Sequence, residues 1–224
     1  MDRALPTKDL PVLQPPFNAQ PHTGWQPVSP SVLVLAAGHG RRFARSGGRT
    51  HKLDAMLGDV TVLDHVLRSV VASGLPYHIV RPVADGSPPE RDGMGHSIAR
   101  GVAATAEADG WLILPGDLPL VRAQSLVAVA QSLATHAVVV PQCGDHQGHP
   151  VGFARICREA LLKLQGDTGA SAIVRSHRQA GTAHTLLLDD PGIAIDIDTC
   201  DDLARAQALL ASGAFAQGVG DGKR

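Results

Sequence analysis

Aromatic side chains are scarce in this 224-residue chain, at 3%. With two Trp, one Tyr and four Phe, no stacking platform for single-stranded nucleic acid is expected. Charge of either sign is not in excess, the formal net charge being −1. Broad neutralisation of a nucleic-acid backbone is thereby excluded, and any anion site has to be local. Cysteine is limited to Cys143, Cys157 and Cys200, odd in number and without a C-x-x-C pair. That excludes a disulfide framework or a cysteine zinc site and suits reduced thiols. No apolar run is long enough to span a bilayer, and no charged-then-apolar leader is seen. The expectation is a cytoplasmic protein without membrane contact.

Apolar residues make up 44% of the chain, enough for a full core in one domain. Prolines at 6, 11, 15, 16, 21, 27 and 30 mark residues 1–30 as an extended or disordered extension, with Phe17 or Trp25 as an anchor on the domain. Residues 213–224 read as a flexible tail. Between them, residues 31–212 alternate short apolar strands with amphipathic helices and contain no internal repeat. Strands are expected at 32–36, 77–80, 111–114, 137–140, 151–154 and 186–188. Helices are expected at 62–72, 97–108, 123–134, 156–164, 170–177 and 201–211. The alternation implies an α/β fold whose mostly parallel sheet is covered on both faces, with ligands outside the carboxyl ends of the strands.

The most informative segment is Leu33-Val34-Leu35-Ala36-Ala37-Gly38-His39-Gly40-Arg41-Arg42-Phe43, followed by Lys52. An apolar strand runs into a glycine turn that opens onto positive charge. Glycines let backbone N–H groups approach phosphate oxygens, and Arg42 and Lys52, both expected on an exposed loop, neutralise what those donors do not. No Gly-Lys-Ser/Thr follows, so this is not a P-loop, and no third glycine completes a dinucleotide fingerprint. Read alone, the loop is either a phosphate cradle or a plain strand–helix connection.

Leu114-Pro115-Gly116-Asp117-Leu118-Pro119 puts a carboxylate at a strand end. It is either a turn residue or a ligand for Mg²⁺, which prefers oxygen and bridges to phosphates. In Asp196-Ile197-Asp198-Thr199-Cys200-Asp201-Asp202-Leu203, Thr199 caps the last helix while Asp201 and Asp202 favour its positive end. Asp196 and Asp198, two apart in extended backbone, face the same way and repel unless a cation lies between them. Gly93-Met94-Gly95-His96-Ser97-Ile98-Ala99-Arg100-Gly101 reads as a flexible helix entry with Ser97 as N-cap, whose free N–H groups also suit a ligand. His146 and His149, with His136, are too sparse a set for a metal site. The basic segment 45–51 reads as a solvated loop, a mobile lid being the alternative.

Together these segments carry a resemblance. The loop matches the L-A-A-G-x-G-x-R-[MF]…K signature of nucleotidyltransferases that move a nucleoside monophosphate from an NTP, and the likeness runs through nearly all of residues 31–212. The chain most resembles molybdenum cofactor cytidylyltransferases, within the MobA-like group. That implies a Rossmann-like three-layer nucleotidyltransferase fold. It assigns Leu35, Ala36, Ala37, Gly38, Gly40, Arg42, Lys52, Gly93, Gly95 and Ser97 to the nucleotide, the G-M-G-x-S segment to its base and ribose. It assigns Arg42, Lys52 and Asp117 to catalysis. Asp117 then holds the metal with Asp196 or Asp198, of which Asp196 is favoured.

Residues 148–153 and 166–170 resemble the G-H-P-[VA]-x-F and G-D-x-G-A segments that border the pterin side of the cleft in relatives, with His149 read as structural. There are two departures from the family pattern. Ser171 stands where relatives usually have Arg, and Cys200 replaces the usual Pro. The implied reaction is transfer of CMP from CTP to molybdopterin with Mg²⁺, or Mn²⁺ in its place, giving molybdopterin cytosine dinucleotide and pyrophosphate. A recipient molybdoenzyme or its chaperone is the implied transient partner. The alternatives are transfer from GTP or to another phosphate acceptor, and a non-catalytic nucleotide- or molybdopterin-binding chaperone. Asp117, Arg42 and Lys52 together argue against the last, since holding a ligand needs no metal carboxylate.

Overall fold

Residues 29–82 and 93–213 are described by the structure, a computed structural model. The expected extension up to residue 28, with Phe17 and Trp25, and the tail beyond 213 lie outside the described residues. The chain begins with β1 (Ser31–Leu35), the short helix α1 (Arg41–Arg45) and a ribbon of β2 (Met56–Leu57) and β3 (Val60–Thr61). Then come α2 (Val62–Ala72), β4 (Tyr77–Val80), α3 (Met94–Ala104), β5 (Gly110–Pro115) and α4 (Ala123–Ser132). β6 (Val138–Cys143), β7 (His146–Gln147) and β8 (Val151–Ala154) precede α5 (Arg158–Leu162) and α6 (Ser171–Gln179). β9 (Ala183–Leu187) and α7 (Cys200–Ala211) complete the described fold.

Val32, Leu33 and Val34 have no exposed surface, because β1 is covered on both faces. Successive side chains of a strand point to opposite faces, so they enter two cores. Val32 and Val34 pack with Leu112 and Leu114 of β5, Val66 and Val70 of α2, and Leu126 and Val129 of α4. Leu33 packs with Trp111 and Ile113, Ile98 and Val102 of α3, Leu161 of α5 and Ile173 of α6. The buried Trp111 is not left polar: its indole N–H donates to Thr105 Oγ1 at 2.9 Å. Helix, sheet and helix therefore form the three layers expected of a Rossmann-like α/β fold.

β1 pairs in parallel with β4 and β5, and β6 in parallel with β9. Between β5 and β6 lies β8, antiparallel to both, and β7 folds back on the end of β6. Five of the seven strands thus run one way, and their carboxyl ends share one edge. α2 starts at a capping box in which Thr61 and Asp64 satisfy each other's backbone N–H groups.

Some expectations need correction. α3 starts at Met94 with Gly93 as N-cap, so Ser97 lies inside the helix and does not cap it. It ends at Ala104, where Thr105 turns back to Gly101 and binds Trp111. The helix expected at 156–164 is a 3₁₀ turn, Arg155–Cys157, followed by the shorter α5. β9 spans Ala183–Leu187, not 186–188. An edge strand with one open face carries His184 and Thr185, which hid it from an apolar-run reading.

Candidate active site

Three loops meet beyond the carboxyl ends of β1 and β5, joined first by backbone. The Gly116 N–H donates to Leu35 O, and the Ile197 N–H donates to Asp117 O, both at 2.9 Å. Ile197 is fully buried, and its neighbours Asp196 and Asp198 both line the cleft, as extended spacing predicts. The Asp202 carboxylate holds the loop end: it accepts from the Asp198 N–H at 3.2 Å and the Thr199 N–H at 2.7 Å. Thr199 in turn caps α7. Burial would raise the Asp202 carboxyl, but these bonds, those of Thr199 foremost, and Arg205 hold it below the usual range.

Lys52 is the hub. Its ammonium lies 2.5 Å from Asp117 Oδ2 and 2.9 Å from Asp198 Oδ1, and Arg42 reaches the other oxygen of Asp198 at 2.7 Å. Both cations were expected on an exposed loop. Arg42 is, with 74% of its side chain exposed, but Lys52 retains only 12%. Burial alone would lower the Lys52 pKa; the charge of Asp117 and hydrogen bonds to Asp117 and Asp198 outweigh it and raise the pKa. Asp117 Oδ1 is buried and has no partner among the described residues. Asp196 is open to solvent, yet its carboxyl is raised, first by partial loss of hydration and then by the charges of Asp198 and Asp117.

Gly40 sits at φ 61°, in the left-handed region, and turns the loop into α1. The segment 45–51 is largely exposed, as a solvated loop should be, but it is fastened at both ends. Ser46 Oγ accepts from the Cys200 N–H at 2.9 Å and donates to Phe43 O at 2.8 Å. His51 Nε2–H donates to Gly38 O at 2.7 Å.

The cleft holds about 610 Å³ and is lined by Leu35, Ala37, Gly38, Arg42, Lys52, Ser97, Asp117, Asp196 and Asp198 of the expected residues. Ala36 is buried behind its wall. Gly40 lines an adjoining hollow of about 320 Å³ with His39, Arg41 and Lys52. Ser97 Oγ is buried and unpartnered among the described residues. Gly93 and Gly95 do not line the cleft. They press on the backbone of 165–168, where an added Cβ would stand 2.2 Å from Gly166 or 2.7 Å from Gln165.

Sequence reasoning missed Gln147 and Ile193 as cleft walls, while Met94 and Asp167, which also line it, lie in segments already singled out. His149 shares both hollows: it lines the cleft and a third space of about 560 Å³ floored by Ile98, Ile113, Val140 and Phe153. Burial lowers the His149 pKa, against the opposing bond to Ile113 O and the charge of Asp117, and its Nδ1–H lies 3.3 Å from Ile113 O. Gly148, His149, Val151, Phe153, Gly169 and Ala170, from the two segments singled out above, line this third space together with Arg175 and Arg178. Arg178 donates to Gln147 Oε1 at 2.8 Å.

Among the described residues no helix is long and apolar enough to cross a membrane. In the solved structures, Rv0371c of Mycobacterium tuberculosis H37Rv aligns with a TM-score of 0.66 and 24% identity, over 82% of this chain and all of that one. A nucleotidyl transferase of Methanothermobacter thermautotroptrophicus aligns with a TM-score of 0.67 and 21% identity, over 81% and 97%. These likenesses show the fold. The bifunctional protein GlmU of Xanthomonas axonopodis pv. citri (strain 306) is 30% identical over 180 residues, 73% of this chain and 38% of its own length. GlmU of Streptococcus suis (strain 98HAH33) is 28% identical over 150 residues. The chain thus spans well under half of the curated relatives it matches. Residues 32–181 match the MobA-like NTP transferase domain, a span that takes in the glycine loop, Lys52, Asp117 and His149. The chain belongs to that family.

Proposed function

We propose that this cleft binds CTP and transfers CMP to a terminal phosphate of molybdopterin, releasing pyrophosphate. The observation that carries the reading is the meeting of two spaces at one charged cluster. A cleft carrying Lys52, Arg42 and four carboxylates shares Met94, Gln147, Gly148 and His149 with an apolar space of about 560 Å³, room for a heterocyclic acceptor. An acceptor phosphate is already ionised at neutral pH, so no general base is needed. Catalysis then reduces to in-line positioning and to offsetting charge on the α-phosphate and the leaving pyrophosphate. Arg42 and Lys52 offset that charge, and Gly38 and Gly40 cradle the phosphates.

The residues fit a divalent cation. Three carboxylates face two cations, Asp117 Oδ1 is buried and unpaired among the described residues, and burial together with its acidic neighbours raises the Asp196 carboxyl. Among the described residues no three His, Cys, Asp or Glu side chains form a metal-holding group, so Mg²⁺ or Mn²⁺ here would need phosphate and water to complete its coordination. Asp117 with Asp196 or Asp198 would hold it, and it would supply further neutralisation of the phosphates. A related solved structure, Rv0371C of Mycobacterium tuberculosis H37Rv, is a complex with manganese. Ala37, at the cleft wall, narrows the space beside the backbone and favours a pyrimidine.

The deciding experiment is pyrophosphate release with each of the four NTPs and Mg²⁺, with and without molybdopterin. Release is expected only with CTP and molybdopterin together. Equal or faster release with GTP would overturn the cytidylyl assignment. Tight binding with no release from any NTP would favour the chaperone role.

A further inference from the structure

The His51 ring has both nitrogens committed. Nε2–H donates to Gly38 O at 2.7 Å, and Nδ1 accepts from the Leu53 N–H at 3.3 Å. The proton therefore sits on Nε2. The same ring packs beneath the loop: Cδ2 and Nε2 lie 3.3 and 3.4 Å from where a Gly40 Cβ would stand. Two pieces of chain are thus tied by one side chain, the glycine loop and the turn that carries Lys52.

The bond to Gly38 fixes more than a carbonyl. In a trans peptide the C=O of one residue and the N–H of the next point in opposite directions, and the one cis bond among the described residues is at Pro150. With Gly38 O turned to His51, the His39 N–H is turned away from it. Gly38 and His39 line both the cleft and its adjoining hollow, and neither N–H has a hydrogen-bond partner among the described residues.

We propose that His51 is a positioning residue for nucleotidyl transfer: by holding the Gly38 carbonyl it presents the His39 N–H to a phosphate of the bound nucleoside triphosphate and keeps that donor in register with the Lys52 ammonium. The proposal rests on the glycine loop being the phosphate cradle. It does not depend on which base is used. A fixed donor at an anion is stronger than a mobile one, because no reorganisation is needed when the ligand arrives.

The test uses the full chain with His51→Ala, His51→Gln and His51→Asn. A glutamine amide N–H reaches the position of Nε2, whereas asparagine falls short by one methylene. Binding of CTP and of GTP with Mg²⁺ is measured by calorimetry, and kcat and KM are measured with whichever triphosphate the wild type turns over. His51→Ala and His51→Asn should weaken triphosphate binding and raise its KM about tenfold, the size of one well-aligned hydrogen bond. The KM for the acceptor should hold, and His51→Gln should restore most of the loss. Wild-type affinity and KM in His51→Ala, or His51→Gln as impaired as His51→Ala, would overturn the role of His51 alone. A wild-type protein that binds neither CTP nor GTP would overturn the cradle reading itself, and this proposal with it.

Discussion

Asp117 and Asp190 are both aspartates in tight turns beyond strand ends, both are largely buried, and they are finished in opposite ways. Every oxygen of Asp190 is spoken for. Oδ2 accepts from the Arg122 N–H at 2.9 Å and the Ser125 hydroxyl at 2.6 Å, and Oδ1 accepts from the Gly192 N–H at 3.0 Å. Asp117 has one oxygen on Lys52 and the other buried without a partner among the described residues. A satisfied buried carboxylate holds structure together; an unsatisfied one lowers stability and is kept where a ligand will complete it. The surroundings agree. Asp190 closes a turn under α4, while Asp117 faces a cleft with three more acids, Asp167, Asp196 and Asp198, and two cations.

The largest effect should come from breaking the unfinished side. Asp117→Asn is nearly isosteric, so the fold should survive with a thermal midpoint lowered by the weakened Lys52 pair, while metal-dependent turnover falls about 10³-fold or more, as when a preorganised electrostatic group is lost. Full turnover in that variant would dissolve the contrast with Asp190. Next, Lys52→Ala and Arg42→Ala should each slow turnover about 10²–10³-fold. They should differ in stability, since Lys52 is buried between two carboxylates and Arg42 is exposed. Urea unfolding of the two proteins measures that difference.

Asp190→Asn should do the reverse of Asp117→Asn. Removing the charge leaves N–H and O–H donors facing an amide, which costs about 2–3 kcal/mol of stability. Turnover per folded molecule should fall far less than in Asp117→Asn; chemical denaturation and steady-state rates on the same preparation separate the two. The smallest effect concerns Asp196. Its folded pKa is raised, so the unfolded chain gives up this proton first as pH rises. Its destabilising contribution is absent at pH below the unfolded value of 3.8 and complete above the folded one. Without divalent cation, Asp196→Asn should therefore raise the thermal midpoint at pH 7, with the gain shrinking as pH approaches 4. Asp198→Asn should show no such gain, because it breaks pairs with Lys52 and Arg42.

Much of this was readable before folding, for local reasons. The glycine loop and Asp117 lie within short motifs at strand ends, which a doubly wound sheet puts together, and the 196–198 acids lie in a short motif just before α7. The capping role of Thr199 likewise depended on neighbours three residues away. What escaped depends on distant partners. Gly93 caps α3 without a side-chain signal, so the start was read three residues late. His96 Nδ1 accepts from the Gly166 N–H, 70 residues away in sequence, a contact no pattern reports. Gln147 reaches the cleft because the chain turns back antiparallel after β6, and alternation of strand and helix is silent on direction. Lys52 was misjudged as exposed because its burial is produced by carboxylates from two other segments.

The bond from the Ile197 N–H to the Asp117 carbonyl involves backbone alone, and that has a bearing on ancestry. Descent can exchange any of the acids at 117, 196 or 198 without unfastening the loops that bear them. A lineage that lost Asp117 would keep the same outline, the same cleft and the same kinship in shape, and on the role proposed for Asp117 its chemistry would lapse. Form and power of reaction are inherited here on separate terms, and the form outlives the power.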